Sequence, residues 1–231
     1  MSLRNKSILV TGGAGFIGSH LVDALIKEEP EKIVVVCNFS LGKKENLREA
    51  EENFENLKIY KQSVADYEAI KKIFEEENVD ICYNLAVIPL PASLEDPLGS
   101  TLENLKITTN VCELLRKGLF KQLINFSSSE AYGTAKKVPM NEEHPLNPET
   151  PYAASKAGSD MIVDSYYRTF KLNTCTLRPF NNYGPRQNAG KFAGIIPLTI
   201  KRILNNEDII INGDGEQTRD FIFVTDTANA A

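Results

Sequence analysis

The chain has 231 residues, of which 25% are charged and 42% hydrophobic, with a net charge of −5. That is room for one sizeable α/β domain rather than two, and with no cluster of Lys and Arg it points to a small-molecule partner, not a nucleic acid. No apolar run reaches the ~20 residues that span a bilayer, the start turns into a strand too soon for a signal peptide, and Cys37, Cys82, Cys112 and Cys175 form no C-x-x-C pair; a reduced, cytoplasmic protein is expected, with Cys82 and Cys175 as core thiols.

In chain order, β-branched runs predict strands at 7–11, 32–37, 57–60, 80–86, 122–127 and 173–178. Helical spacing predicts helices at 16–28, 66–77, 99–117 and 152–170. Strands that are apolar on both faces and alternate with helices make a parallel sheet covered on both sides. The polar stretch 133–150, with Pro139, Pro145 and Pro148, is loop. "FIFVTDTANAA" gives a last strand and then a helix capped at Thr225 or Asp226, with barely one turn left to run. The expectation is a chain that continues beyond Ala231.

The first strand runs straight into "TGGAGFIGSH", residues 11–20, and a helical pattern begins near Phe16. Gly12 permits the tight turn, Gly15 lets the backbone approach a pyrophosphate, and Gly18 lets helix pack on strand. The free N–H groups of the helix then meet the phosphates. The bland alternative is a glycine turn with no ligand. A second motif, "PYAASK", puts Tyr152 and Lys156 at i and i+4 on one helix face. A Tyr is a poor base at its ordinary pKa of about 10; a nearby ammonium, with a cationic nicotinamide, favours the phenolate. His20 and His144 are read as packing and loop residues, and no metal site is expected.

The spacing G-x-x-G-x-x-G, with "TGGAGFIGSHL", "NFSSSEAYG" (125–133), "PYAASK", "LRPFNNYGPRQ" and "GDGEQTRDFIFV", resembles the extended short-chain dehydrogenase/reductase family, in its nucleotide-sugar branch. The resemblance covers nearly the whole chain. It implies a Rossmann-type doubly wound parallel α/β sheet over residues 1–178. Residues 179–231 would begin the nucleotide-sugar-binding part, largely missing here. It implies NAD, held by Gly12, Gly15, Phe16, Ile17 and Gly18, by Asn38, Ser63, Val64, Leu85 and Ala86, and by Asn104, Tyr152 and Lys156. Ser128, Glu130, Tyr152 and Lys156 become the catalytic residues. Ser128, Asn181 and Arg219 become the contacts to the nucleotide sugar. The helices at 99–117 and 152–170 become a homodimer interface.

Three departures stand out. Cys37 occupies the end of the second strand, where the family has an acid for the adenosine ribose, so NADP is the alternative cofactor, with Lys43 or Lys44 for its 2′-phosphate. Ser63 stands where an Asp commonly faces adenine, and Asn84 replaces a common His. Within the family, the implied chemistry starts with transient oxidation at sugar C4. Glu130 favours 4,6-dehydratase or decarboxylase chemistry, since a carboxylate beside the reacting ring is costly to bury without a role. Ser129 precedes it where dehydratases often carry Asp. The alternatives are a UDP-hexose 4-epimerase, in which Glu130 pairs with Lys136 or Lys137 at the rim, and a non-catalytic dinucleotide-binding regulator.

Overall fold

The computed structural model describes residues 2–190, 193–211 and 213–231. Six strands, β1 (Ser7–Thr11), β2 (Lys32–Cys37), β3 (Leu57–Lys61), β4 (Ile81–Asn84), β5 (Gln122–Phe126) and β6 (Thr174–Leu177), form one sheet. Their order is β3-β2-β1-β4-β5-β6, and every pairing is parallel. The chain therefore winds outward from β1 in one direction and from β4 in the other. A crevice opens at the carboxyl ends between them, where such sheets bind ligands.

Alternation along the strands splits the core in two. Leu9, Val34 and Val36 point to one face, onto α3 (Tyr67–Glu77), α5 (Pro97–Arg116) and α6 (Pro151–Phe170), through Phe74, Ile107, Val111 and Val163. Ile8, Val10, Ile33 and Val35 point to the other, onto α1 (Phe16–Ile26) through Leu21 and Val22. Ala50 of α2 (Arg48–Asn53) and Ala228 of α8 (Val224–Ala230) join that second layer.

The long elements start where their caps lie. Asp96 accepts the Gly99 N–H at 2.9 Å with Pro97 in the first turn, so α5 begins two residues before the expected 99. Thr150 accepts from Ala153 at 3.1 Å, and Pro151 opens α6. The fourth strand is shorter than predicted: Leu85 and Ala86 leave the ladder and turn toward the crevice. The last helix starts at Val224, after Phe223 rather than at Thr225 or Asp226, because β8 (Phe221–Phe223) pairs with β7 (Asn181–Tyr183) and delivers it directly.

One thiol differs from expectation. Cys82 is fully buried, and burial holds it well above the ordinary thiol range. Cys175 is exposed, because β6 is the edge strand and leaves one face open. Unpredicted short helices are α2, α4 (Leu90–Glu95) and α7 (Ile195–Leu204), the last apolar but without a buried residue. Among the described residues no helix is long and apolar enough to cross a membrane.

Candidate active site

The crevice is a groove of about 430 Å³ whose lining includes Gly12, Gly15, Phe16, Ile17 and Gly18. Gly12 has φ +67, and a Cβ there would come within 3.0 Å of the Ala86 nitrogen. At Gly18 a Cβ would lie 2.8 Å from Gly13 Cα and overlap the Gly12 carbonyl. Both positions therefore exclude a side chain for packing reasons alone. The N-terminus of α1 has no side-chain cap and no acid in its first turn, so its N–H groups remain available to an anion.

A buried polar chain ties the strand ends together beneath this turn. Thr11 Oγ1 donates to Asn84 Oδ1 at 2.8 Å, and Asn84 Nδ2 donates to Asn125 Oδ1 at 2.9 Å. The Leu85 and Ala86 N–H groups each donate to Thr11 Oγ1 at 3.0 Å. Asn84, read as a departure, thus links β1, β4 and β5 under the groove. Asn104 does not line the groove. It holds the wall in place, accepting from the Ile88 N–H at 2.8 Å and donating to the Ile88 carbonyl at 3.1 Å and to Ser155 Oγ at 3.1 Å.

At the β2 side the groove is lined by Cys37, Asn38, Ser63 and Val64, and on the opposite side by Tyr152 and Lys156. Tyr152 is half-buried, and burial pushes its phenol up to about 12; a hydrogen bond with Ser128 works against this, while the Glu130 charge adds to it. Lys156 is buried, and burial pulls its ammonium down to about 8, against the attraction of Asp160. The Tyr152 phenol takes its shift from burial, Ser128 and Glu130, and Lys156 is engaged elsewhere. Its Nζ is caught by the Phe126 carbonyl at the end of β5. Shared helix face does not ensure a shared direction once a strand-end carbonyl competes for the ammonium.

Ser128 caps a 3₁₀ turn over Ser129–Tyr132, accepting the Glu130 N–H at 3.2 Å. That turn brings Glu130 within electrostatic reach of Tyr152. The Glu130 carboxylate makes no hydrogen bond or ion pair with the described residues, so the pairing with Lys136 or Lys137 does not form. His144 is not simply a loop residue: it is 7% exposed, its Nε2 accepts the Lys136 N–H at 3.0 Å, and Nδ1 donates to the Pro145 carbonyl at 3.0 Å. It folds the 133–150 loop on itself. His20 packs edge-on to Phe16 and bonds the Pro185 carbonyl at 3.0 Å.

Asn181 opens β7 and Arg219 lies two residues before β8, and neither is among the residues that line the groove. Asn181 Nδ2 donates to the Asp220 carbonyl at 3.1 Å, and exposed Arg219 donates to Thr218 at 2.7 Å. Groove residues that the sequence reading did not single out include Ser127, Arg186 and Gln187. Arg186 sits at φ +64 and is held by Asp23 at 2.6 Å and Glu49 at 3.4 Å, which draws the 184–188 turn over α1. Nothing in local spacing marks it, since its partners are remote in sequence.

Ser127 bears on what fills the groove. It is 6% exposed, lines the cavity, and its hydroxyl has no partner among the described residues. A buried unpaired hydroxyl costs ~1–3 kcal/mol, which a polar ligand in the groove would recover. Groove size, glycine cradle, uncapped helix and orphaned hydroxyl together fit an extended anionic dinucleotide. No cluster of three His, Cys, Asp or Glu suited to a metal occurs among the described residues.

Residues 8–231 match the NAD dependent epimerase/dehydratase family. The chain is 37% identical to a putative UDP-glucose 4-epimerase of Methanocaldococcus jannaschii, over 96% of this chain and 71% of that protein. It superposes with a TM-score of 0.90 on the UDP-glucose 4-epimerase of Thermotoga maritima with UDP-glucose, at 36% identity over 97% of this chain and 71% of that one. The dTDP-glucose 4,6-dehydratase of Bacillus anthracis in complex with NAD gives a TM-score of 0.85 and 33% identity, over 97% of this chain and 70% of that one.

Proposed function

This chain belongs to the NAD dependent epimerase/dehydratase family, and from that premise we propose that it oxidises a nucleotide sugar transiently at C4 and then removes water or carbon dioxide from it, as a 4,6-dehydratase or decarboxylase. The observation that carries the reading is Glu130, an unpaired carboxylate on the turn that Ser128 caps, acting electrostatically on the Tyr152 hydroxyl.

Gly12, Gly15 and Gly18 with the α1 N-terminus would hold the pyrophosphate of NAD or NADP, and Ser127, Tyr152 and Lys156, which line the same groove, would receive its nicotinamide. When bound, the dinucleotide supplies the hydride acceptor and a positive charge beside Tyr152. Tyr152 takes the proton of the sugar C4 hydroxyl, and that added charge is what a phenol raised to about 12 needs in order to ionise near neutrality. Ser128, hydrogen-bonded with Tyr152, orients the same hydroxyl. In the dehydratase, Glu130 removes the C5 proton, now acidic beside the C4 ketone. With Ser129 rather than a second acid next to it, Glu130 returns that proton to the departing C6 hydroxyl, which leaves as water; C6 would then take back the hydride given up at C4 and C5 a proton, so that no net oxidation remains. Asn181 and Arg219 contact the sugar's diphosphate, and α5 and α6 join two copies of the chain.

The resemblance to 4-epimerases supports a second reading, in which the C4 ketone turns and is reduced on its other face. The full protein, incubated with UDP-, dTDP- and GDP-sugars and either dinucleotide, separates the two by product mass. Loss of water or carbon dioxide, abolished by Glu130→Gln, supports the first reading. Unchanged mass with a new sugar, and indifference to Glu130→Gln, replaces it with the second.

A further inference from the structure

The carboxyl end of the second strand is where a fold of this kind chooses its dinucleotide. A carboxylate there accepts the ribose 2′-hydroxyl and repels a 2′-phosphate, whereas cationic and neutral donors do the reverse. Here the position is Cys37, buried and 7% exposed. Its sulfur is directed into packing: it accepts the Phe39 N–H at 3.4 Å, and a Cβ on Gly42 would lie 3.0 Å from it. Burial raises its pKa, so it presents a neutral thiol and a weak acceptor.

The residues after it are donors set in place. Asn38 Oδ1 is taken up by the Ser40 N–H at 3.0 Å and the Ser40 hydroxyl at 2.9 Å, which turns the amide nitrogen of Asn38 away from that contact. The Ala14 carbonyl, inside the glycine turn, accepts the Lys43 N–H at 3.0 Å and Asn46 Nδ2 at 2.9 Å. The loop 40–46 is thereby clamped beside the phosphate turn, with Asn38, Ser40 and Lys43 all lining the groove. Lys44 is engaged by Glu51 at 3.6 Å, but the Lys43 ammonium has no ion pair among the described residues. The one carboxylate among the described lining residues, Glu103, comes from α5 and not from this corner.

Resting on the dinucleotide reading above, we propose that this corner is a 2′-phosphate site formed by the Lys43 ammonium and the Asn38 amide nitrogen, which Ser40 orients, and that the chain binds NADP(H) more tightly than NAD(H). It thereby departs from a relative such as the Bacillus anthracis dehydratase, whose structure holds NAD.

The test is binding, not turnover. The full chain is titrated with NADPH and with NADH, following the fluorescence of the reduced nicotinamide, at low and at raised salt. The expected result is a lower Kd for NADPH, with an advantage that shrinks as salt screens the phosphate. Lys43→Ala should weaken NADPH by roughly 3- to 5-fold, as for an exposed charge pair, and leave NADH unchanged within about 1.5-fold. Cys37→Asp should reverse the order of the two. Because an Asp beside Gly42 has little room, Lys43→Ala on the open rim is the variant that decides if the other fails to fold. NADH binding as tightly as NADPH or more tightly overturns the proposal and leaves the proposed function standing. Equal weakening of both by Lys43→Ala overturns the assignment of the phosphate site. Binding of neither dinucleotide overturns this inference together with the dinucleotide reading it rests on.

Discussion

At the scale of single residues, the site holds groups in states that the fold alone would not choose. Tyr152 is the group through which the proposed proton transfer passes, and Tyr152→Phe removes only its oxygen. Turnover is expected to fall by ~10²–10⁴-fold with dinucleotide affinity retained; product formation within tenfold of the unaltered chain would take Tyr152 out of the mechanism. Lys156 has a cost that can be measured without substrate. Its ammonium titrates near 8 in the folded chain against an ordinary 10.5. Between those values the unfolded chain carries a proton that the folded chain lacks, so stability rises with pH across that window. Below about 8 the buried charge is a standing penalty of ~3 kcal/mol, from a depression of about 2.5 units. Lys156→Met removes that penalty and leaves the Phe126 carbonyl unpaired, at ~1–2 kcal/mol. The variant should unfold at higher urea than the unaltered chain at pH 7, and the gap should close by pH 10. A less stable variant at pH 7 would mean that the ammonium is better solvated than its burial indicates.

At the scale of elements, the end of the sheet away from the groove is clamped by one carboxylate. Glu77, the last residue of α3, accepts from Lys32 on β2 at 2.7 Å, from Lys58 on β3 at 2.9 Å and from Tyr60 on β3 at 2.5 Å. Burial alone would raise its pKa, but those three donors outweigh it and hold the carboxyl at about 2, below an ordinary 4.5. The contribution is complete above about 4.5 and is lost as pH falls through about 2. Glu77→Gln should destabilise the chain by ~3 kcal/mol at pH 7, since it strands two lysines, and the difference in thermal midpoint should narrow steadily below pH 4.5. A constant difference down to pH 2 would assign the loss to packing rather than charge. The elements that this clamp joins were legible in the sequence because each carries an apolar period: β2 is buried nearly throughout, Leu57 and Ile59 alternate along β3, and Ile70, Ile73 and Phe74 share one face of α3. The ones that were not legible lack such a period: α2 and α4 have six residues each and β7 three. Their existence depends on tertiary contact, such as Thr227 Oγ1 donating to Asn182 Oδ1 at 2.6 Å between α8 and β7. Cys175 shows the matching limit: an apolar strand pattern does not say which strand ends at the edge of the sheet.

At the scale of the whole molecule, the groove was readable where chemistry fixes a spacing and unreadable where folding brings remote residues together. Gly12, Gly15 and Gly18 mark themselves because a strand, a tight turn and a helix must follow at set intervals, and Tyr152 and Lys156 because one helix face must carry both. Arg186 and Ser127 reach the groove only through partners or neighbours elsewhere in the chain, and the direction of Lys156 was decided by a carbonyl thirty residues away. The outer face of the same helices carries a prediction about assembly. Leu94 of α4 and Leu98 and Leu102 of α5 recur at intervals of four and are 63%, 73% and 59% exposed, with Met161 of α6 at 61%. Fully burying a side chain of this size is worth ~1.5–3 kcal/mol, and a twofold axis across α5 and α6 would cover each of them twice. The protein is therefore expected to sediment as a dimer at micromolar concentration. The double variant Leu98→Glu, Leu102→Glu should sediment as a monomer while its NADPH and NADH affinities stay unchanged, because both side chains point away from the groove that Glu103 and Ile107 help to line. A monomeric unaltered chain would remove these helices as an interface. A dimer that survives the double variant would move the interface to another face, for which α7 offers exposed Ile195, Ile200, Ile203 and Leu204.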